Sequence, residues 1–203
     1  MTVTRDPFLL YGQRVDGNGD AHTNAITESQ FTAAALKDGA YNINTGLITG
    51  LTGTAGHSIL YFKNDESPSN GESRIIIDAV ALWTGTRSAT VTDDPVWTIY
   101  RNPDGGDIIS DATAVGINSN SDFGGNSTLA TTTLAYKGKN GGTITSTEGS
   151  HAIISGTGRI FAGVPIVLHR GSKIGISVDI NTSGACQAYA ALIMRKVDGK
   201  SIV

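Results

Sequence analysis

Residues 173–180 read K-I-G-I-S-V-D-I, with Ile174, Ile176, Val178 and Ile180 on one side and Lys173, Gly175, Ser177 and Asp179 on the other. This two-residue period puts the β-branched side chains on one face of an extended strand and leaves no stripe that a helix could bury. After the polar turn Asn181-Thr182-Ser183-Gly184, residues 188–194 (A-Y-A-A-L-I-M) form a second apolar run of strand length, read as the partner that closes a hairpin. The chain therefore ends in sheet, and its fold must supply a core for one face of that sheet.

The same grammar recurs from residue 57 onward. Residues 59–62 are a short apolar run stopped by Lys63-Asn64-Asp65-Glu66. Residues 75–83 are apolar except for Asp78, as expected of a central strand covered on both faces. Residues 96–101 lead into Asn102-Pro103-Asp104-Gly105-Gly106, a turn from which residues 107–110 are expected to return as a partner strand. Residues 129–136 are expected to pair across Lys139-Asn140-Gly141-Gly142 with residues 143–146, and residues 151–154, 159–162 and 166–169 continue the series. Short strands broken by turns about every 8–12 residues predict an all-β fold, a jelly-roll-like antiparallel β-sandwich.

Residues 1–56 are less regular and are read as an N-terminal arm, with residues 57–203 as the sandwich. Within the arm Thr27-Glu28-Ser29-Gln30 fits a capping box, Phe31, Ala34, Ala35 and Leu36 give a weak apolar stripe, and Gly39 can end the segment, so one short helix is expected. A chain of 203 residues suffices for one such sandwich with a normal core.

Charge narrows the function classes. Charged residues make up 16% of the chain and the net charge is -3, which gives none of the clustered Lys and Arg that nucleic-acid binding relies on. No window approaches the roughly 18–20 apolar residues of a membrane helix, and residues 1–10 carry Arg5 and Asp6 where a secretory signal needs an apolar stretch. Synthesis in the cytoplasm is the expectation, without nucleic acid or membrane as partner. The single Cys186 cannot form an internal disulfide and reads as a small buried residue.

No catalytic constellation emerges, so the expected set of catalytic, cofactor and metal residues is empty and the chain is read as a non-enzyme. Asp16, Asn18 and Asp20 space oxygen ligands like the start of a calcium loop, but Ala21 and Thr27 stand where an EF-hand needs Gly and Glu, which leaves calcium open against a solvated turn. His22, His57, His151 and His169 are too scattered to define a zinc site. Asp93 and Asp94 are adjacent on an extended chain and point apart, which defeats shared glycosidase chemistry. The glycines Gly46, Gly50 and Gly53 lack the Lys-Ser or Lys-Thr of a phosphate loop and read as flexible turns. Trp83, Trp97 and Tyr100 sit within apolar strands, where core packing is favoured over stacking on a sugar.

One resemblance adds to this. Residues 74–197 resemble the jelly-roll, TNF-like sandwiches of bacteriophage virion proteins, such as capsid decoration and head-fibre proteins. The likeness is carried by Trp97-Thr98-Ile99-Tyr100-Arg101-Asn102 with Gly105-Gly106-Asp107-Ile108-Ile109-Ser110, by residues 120–129 with Phe123-Gly124, and by residues 168–176 together with residues 188–194. The resemblance implies a capsid decoration or auxiliary head protein, made in the host cytoplasm and resident in the virion. It also implies an oligomer, a homotrimer by preference, that contacts the major capsid protein or other virion proteins, with the arm as anchor. The alternative it leaves open is a tail- or fibre-associated receptor- or carbohydrate-binding module that meets a host-surface glycan.

Overall fold

Alternation in sequence becomes alternation in burial in the computed structural model, which describes residues 13–15, 21–23, 39–53, 56–66, 73–85, 94–106, 113–114, 117–119, 134–137, 144–156, 158–162, 166–180 and 182–198. The strands in chain order are β1 (Gln13–Val15), β2 (Ala21–Thr23), β3 (Ala40–Asn44), β4 (Ile48–Gly53), β5 (His57–Lys63), β6 (Ser73–Thr84), β7 (Val96–Arg101), β8 (Gly105–Gly106) and β9 (Thr113–Ala114). They continue as β10 (Ile117–Ser119), β11 (Leu134–Lys137), β12 (Ile144–Thr145), β13 (Ser150–Ser155), β14 (Gly158–Ala162), β15 (Ile166–Leu168), β16 (Lys173–Asp179) and β17 (Thr182–Asp198). Among the described residues there is no helix. Residues 24–38, where the short helix was expected, lie outside them.

Met1–Gln30 is one compact unit, in which β1 and β2 pair antiparallel with Val15 opposite Ala21. Phe31–Val203 is the other. It contains a seven-stranded sheet ordered β10-β3-β17-β6-β14, with β4 also on β17 and β15 also on β6, and a six-stranded sheet ordered β13-β7-β16-β5-β11-β9. β3 and β4 follow one another along one edge of β17, and β14 and β15 along the far edge of β6, so each couple acts as one broken strand. Counting each couple once leaves eleven strands in the two sheets, and eight of them, β3/β4, β5, β6, β7, β13, β14/β15, β16 and β17, form a nested set. The first pairs with the last, β5 with β16, β6 with β14/β15, and β7 with β13, all antiparallel. That nesting is the winding of a jelly roll.

The core lies between the two sheets. Ile43, Leu51, Ile75, Ile77, Val80, Leu82 and Leu192 of one sheet meet Ile59, Leu60, Phe62, Trp97, Ile99 and Ile176 of the other in a single buried cluster. Burial of each such large side chain contributes about 1.5–3 kcal/mol. Cys186 is a buried thiol in this core, and Trp97 is fully enclosed, both as their neighbours in sequence imply.

Four details depart from the sequence reading. The two closing strands are not a hairpin: β16 pairs with β5 and β7 in one sheet, while β17 pairs with β3, β4 and β6 in the other, so the chain changes sheets between them. The boundary at residue 56 also fails, because β3 and β4 are pairing partners of β17 and Ile43 and Leu51 belong to the core. Residues 134–137 do not pair with residues 144–145; β11 already has β5 on one side and β9 on the other, and β12 pairs with β8. Finally, β6 has one enclosed face rather than two. The register slips where Ile193 faces Ala79 and Met194 faces Ile77, leaving Asp78 as the extra residue of a bulge. Ile75 and Ile77 before the bulge, and Val80 and Leu82 after it, thereby reach the same core, while Ile76, Ala79 and Trp83 remain half-buried. The expected return strand at residues 107–110 lies outside the described residues.

Candidate functional site

Two surfaces of the sandwich carry organised side chains. The first is built on the turn that follows β7. Asn102 has a positive φ of 36°, a left-handed conformation that asparagine tolerates better than most residues. It is held there from several sides. Its amide N donates to the Lys173 carbonyl at 3.0 Å, its Oδ1 accepts from the Lys173 amide at 2.9 Å, and its Nδ2 donates to Glu148 Oε1 and Oε2 at 3.0 and 2.8 Å. Asn102 thus fixes the Glu148 carboxylate against the start of β16. Nearby, Thr147 donates to Asp104 Oδ2 through its hydroxyl at 2.6 Å and its amide at 3.2 Å, and these two bonds hold the Asp104 carboxyl below its usual range.

Beside this corner is a cleft of about 310 Å³ between β7, β13, β15 and the start of β16. Ile166, Leu168 and Ile174 line it with apolar groups, and Arg101, Glu148, His151 and Lys173 are its ionisable lining residues. His151 reaches it through a second bulge: Ser150 faces Tyr100 and Ala152 faces Ile99, so His151 is the additional residue. Bulges re-aim a side chain in this way. Lys173 Nζ makes a 3.5 Å contact with the Pro103 carbonyl, and its charge also acts on the Asp104 carboxylate.

The adjoining corner joins the two sheets. Asn64, fully buried, donates through Nδ2 to the Leu168 carbonyl at 2.9 Å and accepts at Oδ1 from the Glu66 amide at 3.0 Å. Its backbone closes the turn before β16 through Ser172 and Gly171. Glu66, 3% exposed, receives Lys196 Nζ at 2.9 Å, an ion pair that ties the end of β5 to β17.

The second surface is the outer face of the β6–β17 sheet. Trp83 lies opposite Tyr189 and the rings stack with centroids 5.6 Å apart. Further along the same face come Ala81 with Ala191, Ala79 with Ile193, and Ile76. Two charges there are matched to each other, since Arg195 Nε bonds both Asp78 oxygens at 3.2 and 3.1 Å. Trp83 therefore stacks on the outside of the sheet rather than packing in the core, and Tyr100 packs half-buried against Tyr61 and Ile144 outside the other sheet.

Of the residues weighed from sequence, Asp16, Asn18, Asp20 and Asp93 lie outside the described residues, and Asp94 is exposed. The structure brings His151 to the cleft and leaves His57 and His169 apart from it. Among the described residues no group of three or more His, Cys, Asp or Glu side chains could hold a metal ion, and no helix is long and apolar enough to cross a membrane. The glycine-rich segment 46–53 is mostly strand β4 on β17; Gly46, at φ 65°, makes the kink before it while Asn44 Oδ1 accepts from its amide at 2.8 Å. The cleft was not legible in the sequence, because Arg101, Glu148 and Lys173 are joined only by long-range pairing. No protein-family model, no curated protein and no solved structure matches the chain.

Proposed function

We propose that this chain is a structural protein of a bacteriophage virion that decorates or cements the capsid through protein–protein contacts, working as an oligomer with a trimer favoured. The reading draws on the resemblance in residues 74–197 and on the jelly-roll winding, and one observation carries it. The outer face of the β6–β17 sheet offers Trp83, Tyr189, Ile76 and Ile193 half-buried, with its Asp78 and Arg195 charges already paired within the face. A face with apolar groups to bury and its Asp78–Arg195 charges already matched to each other suits contact with another protein surface. Many copies bound across neighbouring capsid subunits would stabilise the shell by mass action, since only the assembled form binds them.

The decisive measurement is the copy number of the chain relative to the major capsid protein in purified particles, by quantitative mass spectrometry. A ratio of one, or a fixed fraction of it, is the expected result. A few copies per particle would move the protein to a tail or fibre, and absence from particles would overturn the virion reading.

A further inference from the structure

We propose that the cleft between β7, β13, β15 and the start of β16 binds a carboxylated sugar, a hexuronic acid or similar acidic unit of a glycan. The inference needs no assembled particle and stands apart from the capsid reading. Three independent features of the fold converge on this cleft. Asn102 is held in a left-handed conformation at its rim, and non-glycine residues in that region concentrate at ligand sites. The bulge in β13 turns His151 toward it. Its local charge opposes that of the chain: Arg101 and Lys173 outnumber Glu148, in a protein whose net charge is -3.

The inventory selects the ligand. Arg101 and Lys173 supply donors for a carboxylate. Glu148, with its oxygens fixed by Asn102, remains an acceptor for hydroxyl groups, because a carboxylate offers about four lone-pair sites. The apolar lining of Ile166 and Leu168 suits the C–H face of a pyranose ring. A compact sulfate or phosphate has no use for the apolar lining and meets the Glu148 charge. A neutral sugar makes no charge-assisted contact with Arg101 or Lys173. At about 310 Å³ the cleft is at the small end of the roughly 300–1,000 Å³ of small-molecule sites, which fits one or two sugar rings.

Titration of the isotope-labelled full chain with glucuronate, glucose, acetate and sulfate, followed by backbone amide resonances, tests the proposal. Glucuronate is expected to shift Arg101, Asn102, Glu148 and Lys173 saturably, with glucose, acetate and sulfate at least tenfold weaker. Arg101→Gln, at an exposed position, and Lys173→Met are each expected to weaken glucuronate about tenfold, the loss of one charge-assisted contact, without a change in melting temperature. Equal binding of glucose, sulfate competing as tightly as glucuronate, shifts confined to another surface, or no saturation up to about 10 mM would each overturn it.

Discussion

A Cβ on Gly175 would lie 2.9 Å from Ile144 Cδ1 and 3.1 Å from Pro103 Cγ, closer than such atoms normally sit. The glycine that looked like a polar-side position in the alternating strand is therefore buried, because Ile144 and Pro103 cover the outer face of β16 there. Gly175→Ala should destabilise the fold by about 1–3 kcal/mol through overpacking, read as a lower urea midpoint with an unchanged slope. His57 gives a pH-dependent counterpart. Burial pushes its pKa below the ordinary 6.5, while a hydrogen bond to the Thr52 backbone and the Asp179 carboxylate act in the opposite sense. The unfolded chain then binds the proton more readily, so this contribution to stability is complete above 6.5 and is lost as the pH falls below it. The melting temperature should decline on acidification through that window, and less steeply in His57→Gln. Sequence showed the identity of these residues and even the burial of Trp97 and Cys186. It did not show what covers Gly175, since Ile144 reaches that strand from β12, far away in sequence.

Most of the strands, as elements, were legible, because apolar alternation is a local property. Partners were less so. The Lys173–Asp179 and Thr182–Asp198 strands look like a hairpin in sequence, yet each is placed centrally in a different sheet, β16 between β5 and β7 and β17 between β3/β4 and β6. A short polar turn signals a reversal; whether the chain reverses within a sheet or crosses to the facing one depends on pairings far away in sequence. The run at residues 75–83 failed for a related reason, since one bulged Asp78 joins two alternating halves into what reads as a continuous apolar strand. Central placement predicts protection. Amides of residues 174–178 and 188–194 should exchange slowest, and those of the edge strands β13 and β15 at least about tenfold faster, by hydrogen-exchange mass spectrometry. Uniform exchange across centre and edge would mean that the sheets open as one unit.

For the whole molecule the question is what the outer face of the β6–β17 sheet meets. Inside the sandwich, Ala190, Leu192 and Met194 of β17 face the core, so Ala191 and Ile193 between them must point away from it. Ile193 sits beside Ala79 and Asn42 on neighbouring strands, on the same face as Tyr189 four residues before it and Arg195 two residues after it. A charge there leaves the core untouched but would be stripped of water in any contact made by this face, at a cost of several kcal/mol when unpaired. Ile193→Glu is therefore expected to shift the chain from oligomer to monomer in sedimentation velocity while its far-ultraviolet spectrum stays that of a β-sheet protein. Glu66 and Lys196 provide the contrast. Lys196→Met removes the ammonium from a carboxylate that is 3% exposed and should cost about 3–5 kcal/mol of folding stability, leaving the association of whatever remains folded unchanged. A wild-type chain that sediments as a monomer at high concentration, or an Ile193→Glu variant that stays associated, would move the assembly contact off this face. Either result would direct the search to the sheet edges, where β13 exposes Ile153 and β15 exposes Val167.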